Sequence, residues 1–183
     1  MFETDQFILD CRAAVAEDDS HKAVRDVVAR AVAEPDQVLR GLGTPEQGGL
    51  NVVYQSDTLT ILNLIWAPMM TLMPHNHNMW AVIGLYTGRE DNIFWRRIKN
   101  DTDGRIEAAG AKAMCAGDVE ALGRDIVHSV TNPIPRLTGG LHVYGGDFFA
   151  DGRSEWDAGT LTEQPYNVEN ARRLFEQANA RTQ

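Results

Sequence analysis

The chain has 183 residues, with 43% hydrophobic and 23% charged residues and a formal net charge of −9 from 17 basic and 26 acidic side chains. This suits one domain with a core that needs no staples, and an acidic surface repels nucleic acid and anionic membranes, so neither is an expected partner. No apolar run approaches the roughly 20 residues of a membrane span, the start Met1-Phe2-Glu3-Thr4-Asp5 lacks the basic and apolar regions of a signal peptide, and two isolated cysteines, Cys11 and Cys115, point to a reducing cytoplasm rather than a disulfide framework.

Up to residue 48 the hydrophobic period is helical. Phe7, Ile8, Cys11, Ala14 and Val15 form one stripe, and Val24, Val27, Val28, Ala31 and Val32 a second, with Asp19 or Ser20 as its N-cap. Pro35 opens a short third helix carrying Val38 and Leu39, closed by Gly41 or Gly43. From 49 to 160 the period falls to two. Leu50 to Gln55, Thr58 to Trp66, Met79 to Thr87, Asn92 to Lys99, Arg105 to Met114, Val119 to Leu122 and the stretch around His142 read as strands. Thr87-Gly88-Arg89 and Asp101-Thr102-Asp103-Gly104 read as hairpin turns. Short strands with frequent turns predict an all-β sandwich or barrel. In the remaining 161–183, Asn167 caps a last helix with Ala171, Leu174, Phe175 and Ala178 on one face.

Three histidines carry the chemistry. His75 and His77 are two apart, so on a strand they project to one face. If that face is a barrel interior, both imidazoles reach one ion, and His128, about fifty residues on, is the natural third ligand from a facing strand. A carboxylate ligand would fall four or five residues after His77, where the chain has Ala81 and Val82. The site thus reads as three neutral imidazoles with about three positions open. Such ligands suit iron, copper, nickel and zinc alike. His142 and Tyr144 share another strand face within Gly139-Gly140-Leu141-His142-Val143-Tyr144-Gly145-Gly146. A His–Tyr hydrogen bond there would orient a phenol toward the open positions. His21 lies at a solvated helix start, and Cys115 reads as a small buried hydrophobe.

At these residues the chain resembles the cysteine dioxygenase-like (thiol dioxygenase) branch of the cupin superfamily, from about Trp66 to Phe149. His75 and His77, nine residues after Trp66, match that family's first two iron ligands. His128, within His128-Ser129-Val130-Thr131-Asn132, matches the third, and His142 and Tyr144 match its neighbouring His and Tyr. The resemblance implies a mainly β fold: a double-stranded β-helix (jelly-roll) barrel, here with N-terminal helices and a short C-terminal helix. It also implies mononuclear Fe(II), with nickel, zinc, copper or manganese as alternatives. The implied substrates are dioxygen and a small thiol, oxidised to a sulfinate. Cupins often pair through an exposed barrel face, so a homodimer is an expectation.

Three departures stand out. Gly140 occupies the position of the family's Ser two residues before the His, shortening the relay to His142 and Tyr144. The cysteine that some members cross-link to the tyrosine is replaced at Ala81 or Val82. The arginine that grips the substrate carboxylate should precede Trp66, and Leu50-Asn51-Val52-Val53-Tyr54-Gln55 holds none. Arg89, Arg96, Arg97 and Arg136 are the candidate replacements, and Trp80, Trp95 and Tyr86 line a pocket or pack in the core. The sequence therefore leaves three readings. One is an Fe(II) thiol dioxygenase; the others are a three-histidine oxygenase acting on a carbon centre and a non-catalytic metal- or small-molecule-binding cupin.

Overall fold

The computed structural model describes residues 2–181. Three helices come first: α1 (Thr4–Glu17), α2 (His21–Val32) and α3 (Pro35–Leu42). The Ser20 hydroxyl accepts from the Lys22 amide and caps α2. Pro35 supplies the preset φ of a first turn, and Gly43, at φ 86°, ends α3. Eleven strands and a last helix follow.

The strands form two antiparallel sheets. One has the order β1 (Gly49–Gln55), β2 (Thr60–Trp66), β9 (Thr138–Tyr144), β4 (Ala81–Thr87), β7 (Val119–Leu122). The other has the order β11 (Glu163–Pro165), β10 (Ser154–Trp156), β3 (Thr71–Asn76), β8 (Val127–Thr131), β5 (Arg89–Arg97), β6 (Ile106–Cys115). From β2 to β5 and from β7 to β10 the chain alternates between sheets at every connection. That winding is the double-stranded β-helix expected from the sequence.

Several details differ from expectation, among them two connections and the strands β10 and β11. Thr87-Gly88-Arg89 is not a hairpin but the corner where the chain leaves β4 in one sheet for β5 in the other. Gly88 takes φ 80° there, and the Arg89 amide donates to the Thr138 hydroxyl. The six-stranded sheet also runs on through β11, past residue 160, before Asn167 caps α4 (Val168–Ala180). The second predicted turn holds: β5 and β6 are joined through Asp101, whose carboxylate accepts from the Asp103 and Arg105 amides.

The central strands of the five-stranded sheet, β2, β9 and β4, are buried on both faces, which explains their near-continuous apolar sequences. Ile61, Ile65, Val82, Tyr86, Leu141 and Val143 face the N-terminal helices. Leu62, Ala81, Ile83, Leu85 and Tyr144 face the barrel interior. The helices approach so closely that a Cβ on Gly84 would lie 2.4 Å from a Val28 methyl.

Asn132 is part of the framework rather than of the metal group. Its Nδ2 donates to the carbonyls of Trp66, Ala67 and Arg136, and its Oδ1 accepts from the Ile134 amide. Asn132→Ala is expected to destabilise the fold by about 2–3 kcal/mol, because it leaves buried carbonyls without donors. Urea unfolding would measure this, and a midpoint equal to the parent's would contradict it.

Candidate metal centre

The site lies between the two sheets. His75 sits on β3, directly opposite His128 on β8. His77 lies one residue beyond the end of β3. Counting by twos from the inward Leu72 would put Pro74 and Asn76 inside. Instead the β3–β8 register shifts between Leu72 and His75. Pro74 has no amide to give the ladder, so this is where a bulge is cheapest. The extra residue brings His75 and His77 into the barrel with His128.

The three ring nitrogens lie within 4.8 Å of one another, and all three residues are buried. Among the described residues no carboxylate joins them. His77 Nε2 and His128 Nε2 are 3.0 Å apart. Two nitrogens about 2.1 Å from one ion and at right angles to each other are also about 3 Å apart, so the spacing fits adjacent ligands. Two of the rings are held by outer partners. His75 Nδ1 donates to the Met73 carbonyl at 2.9 Å, and His128 Nδ1 donates to Asn92 Oδ1 at 2.7 Å. Protons fixed on Nδ1 leave the Nε2 lone pairs free for a metal. The residues present therefore suit a divalent ion.

Burial pushes the His75 imidazole down to about 4, partly offset by its bond to Met73 and deepened by the Arg153 charge. Burial, and then the neighbouring histidines, hold His77 and His128 well below the usual range. Free histidine titrates near 6.5. Between that value and about 4, the unfolded chain takes a proton that buried His75 refuses. The metal-free protein is therefore expected to lose stability as pH falls through this window. Urea midpoints at pH 8, 6 and 4.5 would check it; equal midpoints would refute it.

His142 and Tyr144 come from β9 in the opposite sheet and line the same cavity. The Tyr144 hydroxyl is 3.4 Å from His142 Nδ1, and the Tyr144 ring centre is 5.0 Å from that of His77. Burial drives the Tyr144 phenol far above its ordinary range, so it stays protonated.

Two residues that the sequence reading passed over extend this pair. Glu90 and Asn92, two apart on β5, are buried inside the barrel. The Glu90 carboxylate accepts from Trp66 Nε1 at 2.6 Å and from Asn92 Nδ2 at 2.8 Å. His142 Nε2, which has no hydrogen-bond partner among the described residues, lies 3.6 Å from Glu90. Burial pushes the Glu90 carboxyl up, but His142, Asn92 and Trp66 outweigh it and hold the group below its ordinary value. Gly140 offers no hydroxyl to His142, and Glu90 with Asn92 instead lies between the His142–Tyr144 pair and His128, with a 3.6 Å gap at His142 Nε2. A Cβ on residue 140 would lie 3.1 Å from His142 Nε2. The polar run Arg89-Glu90-Asp91-Asn92 carries no sequence signal of burial.

The four candidate arginines lie elsewhere. Arg89 pairs with Asp91, Arg96 with Glu107 and Arg97 with Glu163, all at the surface, and Arg136 is exposed. The arginine at the site is Arg153, just after the turn at Gly152, whose φ is 95°. It is 7% exposed, and its Nη1 is buried without a hydrogen-bond partner among the described residues. Its guanidinium lies 4.4 Å from the Phe148 ring centre and 4.2 Å from that of Tyr166.

The aromatic lining also differs from expectation. Trp80 donates to the Asp19 carbonyl and Tyr86 to Asn63, both on the helix-covered side. Trp95 donates to Ser129. The cavity is lined instead by Trp66, Phe148, Tyr166 and Phe175. Trp66 and Phe175 stack at 5.6 Å, so α4 closes one wall. Cys115 is exposed rather than buried, because β6 is the outer strand of its sheet. His21 is the first residue of α2, away from the site.

No protein-family model matches the chain. Among solved structures it is similar to a cupin with a double-stranded β-helix fold from Methanocaldococcus jannaschii, at 8% identity and TM-score 0.47, over 58% of this chain and 86% of that one. It is also similar to a cupin superfamily protein from Desulfitobacterium hafniense, at 14% identity and TM-score 0.45, over 60% and 88%. A third is oxalate decarboxylase from Bacillus subtilis, at 18% identity and TM-score 0.45. That match covers 61% of this chain and 28% of the decarboxylase. Two of these three neighbours are described as cupins. Among the described residues no helix is long and apolar enough to cross a membrane.

Proposed function

We propose that the protein is a cupin dioxygenase that uses Fe(II) to oxidise a small anionic thiol to its sulfinate. The observation that carries this reading is Arg153, a buried guanidinium with an unpartnered Nη1 beside a three-histidine cavity. A buried cation that faces aromatic rings but no anion is costly, and an anionic ligand offsets that cost with charge-assisted bonds. The reaction balances without further reagents: a thiolate and one dioxygen give one sulfinate, with sulfur oxidised and both oxygen atoms reduced.

A metal held by His75, His77 and His128 would supply Lewis acidity toward the thiolate and an electron relay to dioxygen. The chain's own groups do the rest. Arg153 binds the substrate's anionic group and fixes its orientation. Phe148, Tyr166 and Phe175 keep water out of the cavity. Tyr144 keeps its proton, and its 3.4 Å contact with His142 is long enough for the hydroxyl to turn and donate to a substrate oxygen. Glu90 favours the His142 tautomer with its proton on Nε2, so that Nδ1 faces Tyr144. His142 is thus a positioning residue.

The test is oxygen uptake by protein loaded anaerobically with Fe(II). The panel is 3-mercaptopropionate, cysteine, cysteamine and 2-mercaptoethanol. Uptake of one dioxygen per thiol, with sulfinate formed most efficiently from the two carboxylates and more slowly from the others, is the expected result. Silence across the panel would sink the proposal. Arg153→Ala is expected to raise KM for a carboxylate thiol about ten- to a hundredfold, the loss of one charge-assisted contact. The same change should leave KM for cysteamine within about twofold; equal effects on both would remove Arg153 from the role.

A further inference from the structure

Eight large apolar side chains are well exposed among the described residues, and four of them gather on one groove: Leu50, Val52, Phe149 and Val168. The groove has a volume of about 390 Å³ and runs between β1 and α4. Its inner end shares Leu50, Phe148, Tyr166, Ala171 and Phe175 with the metal cavity. Arg153 lines the groove and not the cavity.

The two spaces differ in capacity. The cavity beside the histidines has a volume of about 40 Å³, room for about three water-sized groups. Anything larger than a thiol and its neighbouring carbon must reach past the Phe148 and Tyr166 rings into the groove. There it meets a guanidinium first and an apolar wall next. A concave, mostly apolar site with one fixed charge is how proteins orient amphiphilic ligands.

We infer that the groove between β1 and α4 is part of the substrate site and takes an apolar extension beyond the anionic group. The substrate class is thus an amphiphilic carboxylate thiol whose hydrocarbon portion lies against Leu50, Val52, Phe149 and Val168. This rests on the anionic-substrate reading above and narrows it: the small thiols of the assay panel would be truncated substrates.

The test uses straight-chain monocarboxylates from propionate to decanoate, titrated into the metal-free protein by calorimetry. These probes need neither metal nor thiol, so the result is separable from the oxidation assay. Kd is expected to fall roughly fourfold per added methylene until the groove is filled. The double variant Val52→Thr/Val168→Thr keeps side-chain shape. It should flatten that dependence and leave propionate binding within about twofold. Alkylamines of equal length should bind at least tenfold more weakly than the acids. A flat length series would overturn the inference even if thiols are oxidised. So would equal binding of amines and acids, or a dimer in sizing experiments that octanoate dissociates; the latter would make the groove a subunit interface.

Discussion

His128→Ala is expected to give a folded protein that no longer retains a metal ion or consumes dioxygen with any thiol. His128 sits on β8, flanked by β3 and β5 inside the six-stranded sheet, so a smaller side chain there leaves both ladders intact. Its imidazole is one of the three grouped ring nitrogens found among the described residues, and its Nε2 faces that of His77 at 3.0 Å. Two remaining imidazoles cannot hold a divalent ion with comparable affinity. The loss should exceed the ten- to hundredfold that removal of an outer partner of a metal ligand typically causes. Metal analysis after dialysis, with circular dichroism as the fold control, decides it. A variant that keeps stoichiometric metal would move the site elsewhere.

Glu90→Ala is expected to be the most damaging single change away from the metal ligands. The carboxylate is fully buried and holds Trp66 Nε1 and Asn92 Nδ2, with His142 nearby. Removing it leaves donors without an acceptor, a loss of about 3–5 kcal/mol by analogy with breaking a buried charged pair. Glu90→Gln keeps the shape and one acceptor, so its stability cost should be less than half as large. It should nonetheless weaken metal binding about tenfold or more, because a repositioned Asn92 no longer fixes the His128 ring. Chemical denaturation and metal competition measure the two effects separately. If the Gln variant loses stability but binds metal normally, the link through Asn92 is broken and Glu90 is only structural.

The elements built on simple periodicity were legible in the sequence. The stripes of α1 and α2 and the Asn167 cap of α4 follow from spacing alone, as does the shared face of His75 and His77. What was hidden depends on long-range packing. Glu90 and Asn92 lie in a polar run that resembles a surface corner and become interior only because β5 crosses to the other sheet. Arg153 follows a glycine turn and looks like a loop cation until β10 pairs with β3 and brings it beside Phe148 and Tyr166. The strands β2, β4 and β9 carry little alternation because helices cover one face and the barrel fills the other. Tyr86 and Trp80, which the sequence could not assign to a face, proved to point toward those helices.

The bulge in β3 makes the three-histidine group a matter of parity. An even number of steps from Leu72 would seat Pro74 and Asn76 inside, so the ligand set depends on one surplus residue whose chemistry is irrelevant to the ion. Losing one residue at Met73 or Pro74 could be absorbed by flattening the strand, with His75 and His77 still facing inward. Gaining one residue has no such remedy, because it would turn both imidazoles away from His128. This stretch of chain should therefore tolerate shortening far better than lengthening.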